Sequence, residues 1–215
     1  MGVKRLLAAT LLAATSSVSF ALTLAESGFV DGTEGWQAIN GARNFRWVAH
    51  GGNPDGHVTA RDLSAGSLWF FDAPSAFLGD LGAALGSTLR YALKSDSASS
   101  PLNRAFADVQ LLGANGVLLA HGGAAAPGSD WTSYTVALVA DGGWHIGSLE
   151  GAVATTADLA AVLANLSALR IRGDYYQASE LTGLDNVVLT TVSEPATAAL
   201  LLGGAALLLG LRRRD

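Results

Sequence analysis

The sequence contains no cysteine, and this absence excludes several kinds of chemistry. Disulfides, thiol catalysis and cysteine-ligated zinc are all ruled out. A domain without disulfides depends on its apolar core, to which a bound metal ion can add stability. Charged residues are also scarce, at 14%, whereas 50% of the residues are hydrophobic. The hydrophobic excess lies near the two ends of the chain, which leaves residues 22–192 with the composition of an ordinary globular domain.

Positive charge is especially scarce in residues 22–192, which contain eight lysines and arginines against sixteen aspartates and glutamates. An acidic domain repels phosphate backbones, so we expect no nucleic-acid partner. The sequence also has no phosphate-binding loop, no dinucleotide fingerprint and no Gly-x-Ser-x-Gly nucleophile elbow. The histidines show no zinc-like spacing and are interpreted as solvated loop residues: His50, His57, His121 and His145. We therefore predict no catalytic residues and no enzymatic activity.

The first 21 residues have the order of a secretory signal peptide. Lys4 and Arg5 form a basic start, residues 6–14 are apolar apart from one threonine, and Ser19 and Ala21 supply small residues before a cleavage site. Residues 1–21 are therefore predicted to be removed on export. Cleavage after Ala25 and a buried N-terminal helix are the alternatives.

The other end of the chain predicts a short membrane helix. Residues 196–211 form an apolar run that would span about 24 Å as a helix, close to the ~30 Å hydrocarbon core of a membrane. The arginines that follow would remain on the cytoplasmic side. A buried C-terminal helix is the alternative, although a basic cluster directly after an apolar run suits a core poorly.

Residues 193–215 resemble the PEP-CTERM sorting signal of Gram-negative bacteria. The signal combines a Pro-Glu-Pro-like motif, a short membrane helix and terminal arginines, and here Ser193 replaces the first proline. The resemblance implies that an exosortase, a membrane transpeptidase-like enzyme, processes the tail of a secreted or envelope protein. The residues that carry it are Ser193, Glu194, Pro195, Arg212, Arg213 and Arg214.

Short apolar or alternating runs fill residues 22–192, separated by glycine, asparagine and aspartate. Asn115 and Gly116 predict a two-residue hairpin turn between two such runs. Only residues 156–165 read as a helix, with Thr156 as its cap. Many short strands with one short helix favour an all-β sandwich.

Several stretches of this domain resemble the laminin B domain, also called laminin IV. The sequence WFFDAPSAFLGD at residues 69–80, followed by LGSTLRY at 85–91, is similar to its signature, with Leu85 where tyrosine is usual. Further matches follow at 108–113, 131–134, Trp144, 156–163, 169–175 (with Asp174 where glutamate is common) and 183–187. The resemblance covers most of residues 35–189. It implies a jelly-roll sandwich like that of many carbohydrate-binding modules, in a matrix module without known catalysis.

The leading functional hypothesis is that the domain binds a polysaccharide or a matrix component. A structural or adhesive matrix protein and a glycoside hydrolase are the alternatives. Sugar-binding sites use flat aromatic faces. Trp69 and Trp131 adjoin apolar strands and are assigned to the core, whereas Trp36 and Trp144 lie beside glycines and are the candidate ligand-binding residues.

A structural calcium ion is the one cofactor predicted, because loop carboxylates are the ligands that calcium prefers. The candidate ligands are Glu26, Asp31, Asp62 and Asp185. The alternative is that these carboxylates are solvated or cap local backbone.

Four further predictions concern stability. Phe77 and Leu78 should fill the sandwich interior, Gly79 should adopt a backbone angle that disfavours a side chain, and Asp80 should bind nearby backbone N–H groups. Arg170 and Arg172 should lie on one face of a strand and form structural ion pairs, with a clamp for a ligand as the alternative. Their expected partners are Asp174, Glu180 or Asp185.

Overall fold

Two antiparallel sheets pack face to face in the computed structural model, which describes residues 21–62, 68–97, 99–102 and 105–192. The strands of the described residues are β1 (Thr23–Ser27), β2 (Gln37–Ile39), β3 (Ala42–Val48), β4 (His57–Asp62), β5 (Phe70–Asp72), β6 (Thr88–Ser95), β7 (Val109–Gly113), β8 (Leu118–His121), β9 (Thr132–Ala137), β10 (Trp144–Ile146), β11 (Leu166–Arg172) and β12 (Leu181–Thr190). One α-helix, α1 (Thr156–Leu163), lies between β10 and β11. The sandwich predicted from the sequence is confirmed.

The two ends of the chain lie outside the described residues, so the signal peptide, the sorting motif and the membrane helix stay predictions. Within the part that is described, no helix is long and apolar enough to cross a membrane.

The sheet that carries the site, here called the front sheet, has the strand order β3-β4-β12-β6-β9, and β1 also pairs with β12. The back sheet has the order β10-β8-β7-β11-β5-β2. All pairings within both sheets are antiparallel. Neighbouring strands are often far apart in sequence, as expected for a jelly-roll sandwich.

Alternation along the strands explains how each sheet divides into a core face and an outer face. On β6, Leu89, Tyr91 and Leu93 are buried, whereas Arg90 is exposed and Lys94 half-buried. Successive strand residues point to opposite sides of a sheet, so this period of two separates the core from the outer surface. The buried residues of both sheets join in one hydrophobic cluster.

Helix α1 is stabilised at its start by Thr155 rather than by the predicted Thr156. The Thr155 hydroxyl accepts a hydrogen bond from the Asp158 N–H at 3.2 Å, and the Asp158 carboxylate accepts one from the Thr155 N–H at 2.8 Å. This reciprocal pair is a capping box. It satisfies two backbone donors that the helix itself leaves free.

The hairpin predicted at Asn115 and Gly116 is confirmed in position, although its loop is longer by one residue. The Gly113 N–H donates to the Val117 carbonyl, which leaves three residues between them. The last of these, Gly116, has a φ of 81°. Three-residue hairpin loops end in this left-handed conformation, which glycine adopts without a steric penalty.

The segment from Phe77 to Asp80 behaves as predicted. Phe77 ends a short 3₁₀ helix and is fully buried, while Leu78 packs partly buried against the same core. Gly79 has a φ of 90°, and the Asp80 carboxylate accepts a hydrogen bond from the Gly82 N–H at 3.0 Å.

Candidate functional site

A groove with a volume of about 300 Å³ lies on the outer face of the front sheet. Strand pairing places Arg46 on β3, Thr59 on β4 and Gly183 on β12 in one row across the sheet. The same row continues to Lys94 on β6. The groove is lined by Arg46, Val48, His57, Thr59, Lys94, Ser95, Asp96, Ser129, Leu181 and Gly183.

Gly183 forms the floor of this groove because it has no side chain. A Cβ at this position would lie 3.2 Å from the rings of His57 and Trp131 and 3.3 Å from Lys94 Cε. A glycine within a strand often marks a place where another group approaches the backbone closely. The missing side chain therefore lets three larger side chains converge over β12.

Trp131, directly before β9, lies beside the groove and contacts two of its lining residues, His57 and Lys94. It is half-buried, and its indole N–H donates to the Gly51 carbonyl at 3.1 Å. The His57 ring meets it edge-on at 5.3 Å between centroids, and Lys94 Nζ lies 4.5 Å from its ring centre. These contacts hold the indole in one orientation.

The core assignment made from the sequence is wrong for Trp131, although the polar residues before it, Gly128-Ser129-Asp130, were a signal of a surface position.

The groove is positively charged near His57. Burial, followed by the charges of Lys94 and Arg46, lowers the pKa of His57 to about 4. His57 is therefore neutral at pH 7 and is itself no source of positive charge there. The sequence-based assignment of His57 to a solvated loop is wrong, because it begins β4 and is buried.

A loop between β3 and β4 supports the rim of the groove. The Gly51 carbonyl accepts hydrogen bonds from both Trp131 and the Lys94 ammonium, the latter at 2.7 Å. The Asp185 carboxylate on β12 accepts the backbone N–H groups of Asn53 and Asn186. Burial raises the pKa of Asp185, whereas these two hydrogen bonds act in the opposite direction.

Trp36 and Trp144, the two residues predicted to bind a ligand, are core residues. Trp36 is 1% exposed and packs edge-on against Phe77, and its N–H donates to the Ser27 hydroxyl at 2.9 Å. Trp144 is fully buried on β10, and its N–H donates to the Ala137 carbonyl at 2.8 Å. Neither ring face can meet a sugar. Neighbouring glycines suggested surface positions, but here the chain turns next to the core.

The four predicted calcium ligands do not form one site. Glu26 and Asp31 are exposed, whereas Asp62 and Asp185 are fully buried. Asp62 ends β4, whereas Asp185 lies on β12 one residue beyond the partner of Val58, so the two lie at opposite ends of the β4–β12 pairing. Among the described residues, no group of three histidine, aspartate or glutamate side chains is arranged to hold a metal ion. Calcium binding itself stays a prediction.

Asp62 instead lies near two buried carboxyl groups, Asp174 and Glu180. Asp174 and Glu180 hydrogen-bond to each other, and Glu180 also accepts from the Tyr175 N–H and from the Ser95 hydroxyl. Burial raises the pKa of Glu180 and of Asp174. The charge of Asp174 raises the pKa of Glu180 further and the charge of Asp62 raises that of Asp174, whereas hydrogen bonds to the two carboxyl groups act in the opposite direction. The folded protein therefore keeps protons here that the unfolded chain has already lost.

This carboxyl pair predicts a stability that decreases with pH. A raised folded-state pKa means that the stabilisation is complete below the unfolded carboxyl pKa, about 4, and is lost as the pH rises through the folded-state values. In the Glu180→Gln variant the part of the pH dependence that comes from Glu180 should disappear, because glutamine does not ionise, and the part that comes from Asp174 should remain. Urea denaturation between about pH 4 and pH 8 measures the free energy of unfolding of both proteins. Subtracting one from the other removes the contributions of groups whose titration is the same in both. The prediction would be wrong if the free energy of unfolding changed with pH in the same way in both proteins.

Comparison with known proteins places the sandwich among related folds. The L4b domain of human laminin alpha-2 matches with a TM-score of 0.54 and 12% identity, over 72% of this chain and 84% of that domain. A family 11 carbohydrate-binding module from Clostridium thermocellum, solved with a β-1,3-1,4-mixed-linked tetrasaccharide, matches with a TM-score of 0.51 and 16% identity, over 83% and 99%. An exo-β-agarase matches with a TM-score of 0.54 and 12% identity over 78% of this chain, which spans only 25% of the agarase. At these identities the similarity concerns the fold alone.

A comparison with curated protein sequences finds no match. The family comparison does find one: laminin B (domain IV) matches residues 70–201, more than half of the chain. This stretch contains β5 to β12 and helix α1. The chain therefore belongs to the laminin B (domain IV) family.

Proposed function

We propose that this protein is exported to the cell envelope or extracellular matrix and that its sandwich domain binds a polysaccharide in the groove of the front sheet. Membership of the laminin B family supports the extracellular setting. The likeness to a carbohydrate-binding module, solved with a tetrasaccharide, supports a sandwich of this shape as a scaffold for sugar binding.

The observation that carries the proposal is the half-buried indole of Trp131 beside the groove. Its N–H is bonded to Gly51 and its ring packs at a steep angle against His57, so the ring is held before a ligand arrives. A fixed aromatic ring loses little conformational entropy on binding. Aromatic faces also meet the apolar face of a sugar ring well. The groove thus offers one stacking surface with polar groups at its sides.

Replacing Trp131 by alanine should weaken glycan binding about tenfold or more, because the stacking surface is lost. A glycan array with the full chain identifies a bound sugar, and titration calorimetry then measures its affinity for the wild type and the variant. Trp131→Phe should retain part of the binding, since the ring stays but the Gly51 hydrogen bond is lost.

The matched control is Gln110→Ala on the back sheet. Gln110 lines a separate groove of about 520 Å³ and is likewise half-buried. This variant should bind as the wild type does. Equal binding by wild type and Trp131→Ala, or equal losses at Trp131 and Gln110, would contradict the front-sheet proposal.

A glycoside hydrolase is the less favoured alternative because the groove lacks a pair of acids. Glycosidases use two carboxyl groups on either side of the scissile bond. Of the described residues that line this groove, Asp96 alone is a carboxylate, and it forms an ion pair with Arg61 at 3.2 Å. A purely structural or adhesive matrix protein remains the other alternative, and it predicts no binding on the array.

The tail completes the proposal. Residues 193–215 would anchor the protein during export and then be processed by an exosortase, as their resemblance to a sorting signal implies. The motif Ser193-Glu194-Pro195 and the arginines 212–214 would be the parts recognised.

A further inference from the structure

The positive charges of the domain are concentrated on one surface. Residues 22–192 contain eight lysines and arginines. Strand pairing and groove lining place five of them on the outer face of the front sheet. They are Arg43, Arg46, Arg61, Arg90 and Lys94. A domain that is acidic as a whole therefore presents a cationic face around the groove.

A β-bulge in β3 brings two of these arginines onto the same face. Arg43 pairs with Arg61 and Arg46 pairs with Thr59, so β3 has one residue more than β4 in this interval. Asn44 within the bulge has a φ of 54°. Residues three apart on a regular strand point to opposite faces, and the extra residue of a bulge reverses this. Without the bulge, one of the two arginines would point into the core.

Among the described residues, most of these cations have no acidic partner within ion-pair distance. The ion pairs found in the described residues are Arg61–Asp96, Arg170–Asp72 and Arg172–Asp108. Arg43, Arg46, Arg90 and Lys94 take part in none of them. Like charges directly opposite each other on a sheet, such as Arg43 and Arg61, destabilise it. A surface that keeps such charges unpaired is suited to an anionic ligand.

The acids nearest to the groove offset only part of this charge, because Asp185 interacts with Lys94 alone of these cations. Asp96 is already paired with Arg61, and Asp185 is fully buried with its oxygens bonded to backbone N–H groups. Burial, followed by the charges of Lys94 and Arg46, lowers the pKa of His57, which lines the groove. Lys94 Nζ itself donates to the Gly51 carbonyl, so its position is held.

We propose that the polysaccharide is anionic, with carboxylate or sulfate groups that bind Arg46 and Lys94 while a sugar ring stacks on Trp131. This rests on the proposed function. The row from Arg46 to Trp131 crosses five strands, which is about 19 Å at the usual strand spacing, and so suits an oligosaccharide rather than a single sugar. The planar guanidinium of Arg46 can bind a carboxylate or sulfate through two hydrogen bonds.

The test compares polymers that differ only in charge. The full chain is titrated with polygalacturonate and its methyl ester, and with dextran sulfate and dextran, at about 0.05 M and about 0.5 M NaCl. We expect about tenfold or tighter binding to at least one anionic polymer than to its neutral partner, and a loss of this preference at high salt. The two pairs distinguish carboxylate from sulfate as the recognised group.

Single charge changes locate the site. Arg46→Gln and Arg43→Gln remove exposed charges and should each lower affinity for the preferred anionic polymer several-fold, without a change in melting. Arg170→Gln on the back sheet removes the same charge elsewhere and should leave binding unchanged. Equal effects of the three variants would overturn the proposal, because they would show attraction to net charge alone.

The outcomes also separate this inference from the proposed function. Salt-independent binding of a neutral glycan, lost in Trp131→Ala, would overturn the anionic preference and leave polysaccharide binding intact. No binding to any polymer, charged or neutral, would overturn both. Binding of duplex DNA as tight as that of the preferred anionic polysaccharide would show a general polyanion surface and also overturn the inference.

Discussion

Replacing Phe77 by alanine should lower the free energy of unfolding by about 3–5 kcal/mol, the usual range when a buried phenylalanine is truncated. Phe77 is fully buried, and its ring meets Trp36 edge-on at 5.4 Å between centroids. The alanine would leave a cavity beside the buried ring of Trp36, whose N–H is bonded to the Ser27 hydroxyl. A loss of this size is a large part of the stability of a typical domain.

Urea denaturation measures this effect, with Ser75→Ala as the control. Ser75 lies in the same 3₁₀ helix but is exposed, so its replacement should change the free energy of unfolding by less than about 0.5 kcal/mol. If Phe77 were part of a ligand-binding patch, its variant would keep the wild-type midpoint and slope and lose binding instead. That result would refute the core assignment.

Replacing Asp108 by alanine should destabilise the domain by a similar amount, about 3–5 kcal/mol, for an electrostatic reason. Asp108 Oδ1 lies 2.7 Å from an Arg172 nitrogen, and their side chains are only 1% and 9% exposed. The Arg172 guanidinium also lies 3.9 Å from the centre of the Tyr175 ring. The alanine would leave a buried arginine without a counter-ion and the Ala124 N–H without its acceptor.

A matched control lies on the same strand. Arg170 pairs with Asp72 at 3.2 Å, but these side chains are 28% and 33% exposed. Water screens this pair, so Asp72→Ala should cost less than about 1 kcal/mol. The double variant Asp108→Leu/Arg172→Met should recover much of the lost stability, because it leaves no buried charge. Equal losses for Asp108→Ala and Asp72→Ala in urea would contradict this account.

These ion pairs also correct the partners expected from the sequence. Both arginines lie on one face of β11, as predicted, but their partners are Asp72 and Asp108 rather than Asp174, Glu180 or Asp185. Asp72 is opposite Arg170 on β5, and Arg172 donates its backbone N–H to the Asp108 carbonyl. Such neighbours come from strand pairing across about 60 to 100 residues of sequence, which alternation within one strand does not reveal.

Features that depend on neighbouring residues could be predicted from the sequence. The alternation of Leu89, Tyr91 and Leu93 is enough to identify a strand and its buried side. Gly79 needs its left-handed backbone and Asp80 bonds a backbone N–H two residues away, so both follow from local geometry. The resemblance of residues 69–91 to the laminin B signature led to the correct fold for the same reason, since that pattern combines buried positions with turn residues.

The groove could not be predicted from the sequence, because it forms only in the tertiary structure. Its row of residues, from Arg46 through Gly183 to Lys94, comes from strands that are distant in sequence and meet only through their pairing register. Alternation shows that a strand has two faces, but the packing of the other sheet determines which face is covered. That packing buries Trp36 and Trp144 and leaves Trp131 at the surface. The sequence by itself was therefore enough for an all-β laminin B-like domain, whereas the long-range register, with its bulge at Asn44, created the cationic groove.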